Sequence, residues 1–211
     1  MNSASAITSE DDVSEAKRGL ESLLKFNREI TDEGEQLFDE LVRRAPPIAS
    51  NGDNAWWLGR CQLLSSHLLT QALRDAGKWR LLDGSPVFVT TMPGEDGGQL
   101  EIETDLLVLG CDTGLRFTGR VRHHSSADGA ELLSVVVDDS EFFEPSDEFG
   151  ITKALKKCEA ELRPKLPSNA HKLHATLRPV FADESMILLM EEDAPEDREP
   201  HRIVLARCPP P

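Results

Sequence analysis

The residues best suited to acid–base chemistry are two adjacent histidines, His123 and His124, with Asp128 shortly after them. Histidine changes charge near neutral pH and a carboxylate can orient it, so this set is typical of a general acid–base site. Neighbouring strand residues point to opposite faces, so the two histidines cannot bind one metal ion together. The pattern predicts either a structural role, with His124 facing Glu101 on the next strand, or a catalytic site at the rim of a sheet.

The four cysteines are widely spaced and form no CxxC pair: Cys61, Cys111, Cys158 and Cys208. Zinc sites normally show paired ligands at short spacing. We therefore expect free thiols, no metal and no cofactor, as in a reducing cytoplasm. The chain also contains no GxSxG, P-loop, HExxH or Rossmann motif. A non-enzymatic function is favoured, although the motifs alone do not decide whether the protein is an enzyme.

The net charge is −15, from 38 acidic and 23 basic residues among 211. Nucleic acids and anionic membranes are bound by clustered Lys and Arg, so neither is an expected partner. No apolar run approaches the roughly 18 residues of a membrane span and no signal-peptide pattern is present, which predicts a cytoplasmic protein. The acidity favours solubility, and the alternatives are an acidic face for a basic partner or mimicry of a nucleic acid.

A helix is predicted from about residue 54 to residue 76, because apolar side chains recur there at helical spacing. Trp57 aligns with Cys61 on the face expected to enter the core. A neighbouring face carries Trp56, Arg60 and Leu63. Exposed tryptophan is typical of protein interfaces. We therefore expect this second face to contact a protein partner or a second copy of the chain.

The charge pattern of residues 100–124 predicts a β-hairpin. Its first half alternates acidic and apolar residues, and its second half alternates basic and apolar residues. A two-residue loop at Asp112-Thr113 would pair Asp105 with Arg120, Glu103 with Arg122 and Glu101 with His124. Such opposite charges stabilise paired strands by roughly 0.2–1 kcal/mol per pair.

The remaining elements follow from periodicity and turn residues. Helices are expected from Ser9, from a cap at Thr31, and over residues 147–163. Strands are expected at 78–82, 86–92, 100–109, 115–124, 131–138, 172–181, 186–191 and 202–208. This order predicts an α+β fold: an antiparallel β-sheet packed against helices, with an N-terminal helical hairpin. The expected organisation is a disordered segment 1–9, a helical hairpin or arm 10–47 and an α+β domain 54–211, and it is open whether the last three strands join the main sheet.

The leading functional hypothesis is a cytoplasmic protein-interaction module, such as an adaptor, an accessory subunit or a chaperone-like binder. One alternative is a small hydrolase or transferase with a site near His123, His124 and Asp128. Another is an acidic inhibitor that mimics a nucleic acid. A deep pocket with convergent polar groups favours the enzyme, whereas a flat, exposed apolar patch favours the interaction module.

Overall fold

The computed structural model describes residues 9–26, 30–44, 56–66, 79–81, 86–94, 97–108, 111–143, 174–194, 196 and 199–209. Two helices come first, α1 (Ser9–Phe26) and α2 (Asp32–Arg44). Nine strands follow: β1 (Gly59–Ser66), β2 (Trp79–Leu81), β3 (Val87–Gly94), β4 (Gly97–Val108), β5 (Cys111–Ser125), β6 (Glu131–Phe143), β7 (His174–Ala182), β8 (Met186–Glu191) and β9 (Arg202–Arg207).

Eight of these strands close into an antiparallel β-barrel. From β3 to β9 each strand pairs with the next one in the chain, and β1 completes the ring between β9 and β3. The short strand β2 pairs with the end of β4, where Trp79 lies opposite Val108. The predicted α+β fold is therefore wrong. The last three strands do join the main sheet, and their return to β1 bends that sheet into a closed cylinder.

The helix predicted over 54–76 is also wrong where the structure describes it, because residues 59–66 form β1. Cys61 and Leu63 alternate towards the barrel interior, as strand residues do. The pairing of β1 with β9 shifts between Leu63 and Ser65, and Leu64 packs on the helix side of the barrel. This irregularity gives the apolar residues a spacing that resembles a helix. The helix predicted over 147–163 lies outside the described residues.

Strands β4 and β5 form the predicted hairpin, but in a different register. Glu103 lies opposite Arg116 rather than Arg122. Pairing continues to Val108 opposite Cys111, so the expected loop residues 112–113 belong to β5. The register differs from the predicted one by an even number of residues. The same side chains therefore keep to the same faces, and pattern alone could not distinguish the two registers.

The two helices pack against each other and against the outside of the barrel. Thr31 caps α2 as predicted, because the backbone N–H of Gly34 donates to its Oγ1 at 3.3 Å. The apolar faces of the helices, with Leu20 and Leu41 fully buried, contact the outer side of β7, β8 and β9. The helices therefore cover one side of the barrel. Full burial of each of these leucine side chains stabilises the contact by about 1.5–3 kcal/mol.

Strand β8 is buried on both faces for this reason. Met186 and Leu188 point to the helices, whereas Ile187 and Leu189 point into the barrel. All four are buried. A continuous apolar run is the sequence pattern of a strand covered on both sides.

Ion pairs of Lys17 and Arg202 also join the helices to the barrel. Nζ of Lys17 in α1 lies 2.6 Å from Oδ2 of Asp183, in the turn between β7 and β8. Nη1 of Arg202 in β9 lies 2.8 Å from Oε1 of Glu35 in α2. Neither described helix is long and apolar enough to cross a bilayer.

Candidate ligand-binding cavity

The barrel interior contains a cavity of about 150 Å³. Alternation along the strands sends every second side chain inward. The aliphatic residues of the lining are Leu63, Val89, Leu100, Ile102, Val121, Leu133, Val135, Val137, Ala175, Leu177, Ile187, Leu189, Ile203 and Leu205. Phe117, Trp56 and Trp57 add aromatic surface. A cavity lined in this way excludes water and favours apolar contents.

The described lining offers few polar groups. They are the hydroxyl of Thr91, the thiol of Cys61 and the indole N–H groups of the two tryptophans. The Thr91 hydroxyl is already used, because it donates to the carbonyl oxygen of Trp57. Burial raises the pKa of the Cys61 thiol, and the nearby positive charge of Arg207 offsets this only in part. Cys61 is therefore a neutral thiol at physiological pH.

One end of the barrel, here called the tryptophan end, is where β1 begins and where the turns β3–β4, β5–β6 and β7–β8 lie. The ring of Trp57 lies so close to Gly98 that a Cβ on Gly98 would come within 2.4 Å of Trp57 Cζ3. Arg207 holds the segment in place from β9: its Nη2 donates to the carbonyl oxygen of Trp56, and its Nε donates to that of Asp183 at 2.8 Å. The two tryptophans therefore occupy the mouth of the barrel at this end.

Several charged side chains of β4, β5 and β6 form ion pairs on the outside of the barrel. Nη2 of Arg116 is 2.8 Å from Oε1 of Glu103, and its Nε is 3.4 Å from Oε1 of Glu101. Arg120 bonds both carboxylate oxygens of Asp138, at 2.8 and 2.9 Å, and so holds the pKa of Asp138 below its ordinary value. These charges face solvent, and the cavity wall between them and the interior is apolar.

Polar residues, among them Glu191 and Thr104, interrupt the apolar inner face towards the other end. Glu191 follows Ile187 and Leu189 on the inner face of β8, and it accepts a 3.3 Å hydrogen bond from the backbone N–H of His201. Thr104 follows Leu100 and Ile102 on the inner face of β4. It is only 3% exposed, and its Oγ1 has no hydrogen-bond partner.

The three predicted interface residues do not share one exposed face. Trp56 and Leu63 line the cavity, whereas Arg60 lies on the outside with its guanidinium 4.2 Å from the centre of the Phe88 ring. The helical alignment that grouped them was wrong, because β1 is a strand and alternates its side chains. Whether any of them contacts a partner stays a prediction.

The predicted acid–base residues are also separated in the structure. His123 contacts Oε2 of Glu131 through Nε2, while His124 is exposed opposite Leu132. Asp128 lies in the β5–β6 turn, where hydrogen bonds from the Ser126 hydroxyl and the Ala130 backbone N–H lower its pKa. In the described part of the chain, no contact joins either histidine to Asp128.

The sequence pattern did not predict that the lining residues together form a cavity. It assigned most of them to the inward faces of strands, but it placed those faces against helices. One available signal was Gly98, since an inward glycine within a strand marks a site where another group approaches closely. The other signal was the number of strands joined by short turns, which is typical of barrels as well as open sheets.

Among the described residues, no group of three or more His, Cys, Asp and Glu side chains could hold a metal ion. Cys61 and Cys208 are free thiols.

No family model, no curated protein and no solved structure matches this chain. The geometry of the barrel is therefore the basis for inferring function.

Proposed function

We propose that this protein binds one small, uncharged, apolar molecule inside its β-barrel. The observation that carries the proposal is the cavity of about 150 Å³ with its wall of aliphatic and aromatic side chains. Barrels of eight strands are just wide enough either to be filled by their own side chains or to hold one small ligand. In this barrel the inward-pointing side chains do not fill the interior, and a cavity remains.

The volume limits the size of the ligand. An apolar cavity of about 150 Å³ stays dry and takes up molecules such as benzene. Sites for drug-sized ligands are larger, at about 300–1,000 Å³. We therefore expect a compact hydrocarbon-like molecule, or a compact apolar part of a longer one.

The lining also limits the charge of the ligand. Burial of an ionised group without a partner costs many kcal/mol, so a charged ligand would need a counter-charge in the wall. The described wall contains no charged side chain. The ion pairs of Arg116 and Arg120 lie on the other side of the sheet, where water screens them.

Tryptophan fluorescence can test the proposal, because two of the three tryptophans line the cavity. Titration with methylcyclohexane should change the emission in a saturable way. Val135 lines the cavity and Val136, the next residue on β6, does not. Val135→Phe should fill the space and weaken binding at least tenfold, whereas Val136→Phe should bind like the natural protein. Equal binding by the two variants, or no saturable change in the natural protein, would contradict the proposal.

The protein-interaction module, the rim hydrolase or transferase and the nucleic-acid mimic stay untested predictions. Among the described residues, Met92 is the one exposed large hydrophobic side chain, at 39%. This described surface supplies no broad apolar patch, so the cavity is the better-supported site.

A further inference from the structure

We propose that the ligand carries a single hydroxyl or carbonyl group, and that the Thr104 hydroxyl binds it. This inference rests on the proposed function and adds the chemical class of the ligand: a small apolar alcohol or ketone rather than a plain hydrocarbon. Thr104 lies on β4, on the same inner face as Leu100 and Ile102. Those two residues line the cavity, and Thr104 follows directly beyond its lining, so the polar end of the ligand would extend past Ile102.

The Thr104 hydroxyl is an unusual polar group on this inner face. It is 97% buried by accessible surface and has no hydrogen-bond partner. Most buried hydroxyls in proteins are hydrogen-bonded, so an unpartnered one requires an explanation. A valine would fill the same space without leaving a hydroxyl unpaired. A bound molecule that supplies the missing partner explains why a polar side chain is suitable here.

The position of Thr104 sets the orientation of the ligand. Side chains two residues apart on a strand are about 7 Å apart, so Thr104 lies one such step beyond Ile102, away from the tryptophan end. The other hydroxyl, that of Thr91, lies towards the tryptophan end and is used by the Trp57 carbonyl. Glu191 is also engaged, through the backbone N–H of His201. The polar end of the ligand would therefore point to Thr104 and its apolar body to the tryptophans.

A matched pair of ligands tests this inference. Cyclohexanol and methylcyclohexane have nearly the same shape and differ by a hydroxyl in place of a methyl group. Thr104→Val makes the same exchange in the protein. Each dissociation constant would be measured by tryptophan fluorescence, and the ratio of the two constants compared between proteins. The ratio cancels the cost of removing cyclohexanol from water, because that cost is the same for every protein.

We expect Thr104→Val to shift the ratio about fivefold against cyclohexanol, which corresponds to one hydrogen bond of about 1 kcal/mol. Thr104→Ser keeps the hydroxyl and should preserve the ratio. Thr118→Val is the control, because Thr118 lies opposite Glu101 on the outer face. If Thr104→Val does not fold, Thr104→Ala removes the same hydroxyl without adding bulk.

The outcomes separate this inference from the proposed function. If the natural protein binds both molecules and the ratio does not change in the Thr104 variants, the role of Thr104 is wrong and the apolar cavity stands. If the natural protein binds neither molecule, both proposals fail. A ratio that shifts equally in Thr118→Val would also overturn the role of Thr104.

Discussion

Arg116 and Glu103 face each other across β5 and β4 on the outside of the barrel, with 2.8 Å between Nη2 and Oε1. Both side chains are partly exposed, at 33% and 23%. Their contact shows which register the hairpin adopts, because the register expected from the sequence would have placed Glu103 opposite Arg122.

The first prediction concerns the strength of this pair. Partly exposed ion pairs contribute about 0.2–1 kcal/mol, so Glu103→Gln should lower the free energy of unfolding by no more than about 1 kcal/mol. The difference should shrink in 1 M salt, where the screening length is about 3 Å. Urea unfolding of Glu103→Gln, Arg116→Gln and the double variant would measure the coupling. A coupling energy of zero at low salt would show that the contact has no energetic role.

The second prediction concerns the packing of Trp57 on Gly98. Gly98→Ala would place a Cβ 2.4 Å from Trp57 Cζ3, and the ring must move. Overpacking of this kind costs about 1–3 kcal/mol, and the tryptophan emission should change as well. Gly94→Ala is the control, because its Cβ would meet only ordinary contacts at 3.6 Å. Similar unfolding midpoints for the two variants would contradict the placement of Trp57 over Gly98.

The third prediction concerns pH. Burial alone would raise the pKa of Asp183, but hydrogen bonds from Lys17 and from the backbone N–H groups of Ser185 and Met186 outweigh it, and the pKa lies below its ordinary value of 3.8. The folded state therefore favours the carboxylate. The resulting stability is complete above the ordinary pKa and is lost as the pH falls through the lowered pKa.

Asp183→Asn removes this titration. The free energy of unfolding should fall less steeply in this variant than in the natural protein as the pH is lowered from about 5 to about 2. In Lys17→Met, the acid-induced fall in the free energy of unfolding should begin at higher pH than in the natural protein, because the strongest donor to Asp183 is lost. Parallel curves for the natural protein and Asp183→Asn would show that Asp183 does not contribute to the acid sensitivity.

The fourth prediction uses two adjacent leucines that point to opposite sides of β8. Leu188→Ala should cost about 2–5 kcal/mol by leaving a hole between the barrel and the helices, without changing ligand binding. Leu189→Ala enlarges the cavity and should strengthen binding of a larger probe such as butylcyclohexane. Urea unfolding and fluorescence titration of both variants would check this. Stronger binding by Leu188→Ala instead would reverse the assignment of faces.

The sequence predicts the fold well where a residue pattern is compatible with only one kind of secondary structure. Thr31 precedes an amphipathic run and caps α2, and the alternating residues around Glu103 form a strand with charges outside. The outcome is different around Leu63 and Leu64, because a strand irregularity and a helix both bring consecutive apolar residues into contact with the core. Local pattern therefore could not decide the structure of β1.

Barrel closure and the cavity depend on long-range pairing that no local pattern contains. Cys61 pairs with Arg207 on one side and with Val89 on the other, and each pairing by itself is compatible with an open sheet. Only the complete ring leaves Val135 and Ile187 facing empty space rather than a helix. The candidate site could not be inferred before the ring was known.

The position of the helical hairpin has a consequence for how this chain is synthesised. Leu20 and Leu41 are made early, but their contacts Met186, Leu188 and Val204 belong to two of the last strands in chain order. The apolar side of the hairpin must therefore remain uncovered on the ribosome while most of the barrel is translated. During this interval the uncovered apolar surface is prone to aggregation, and the emergence of β8 and β9 ends that exposure.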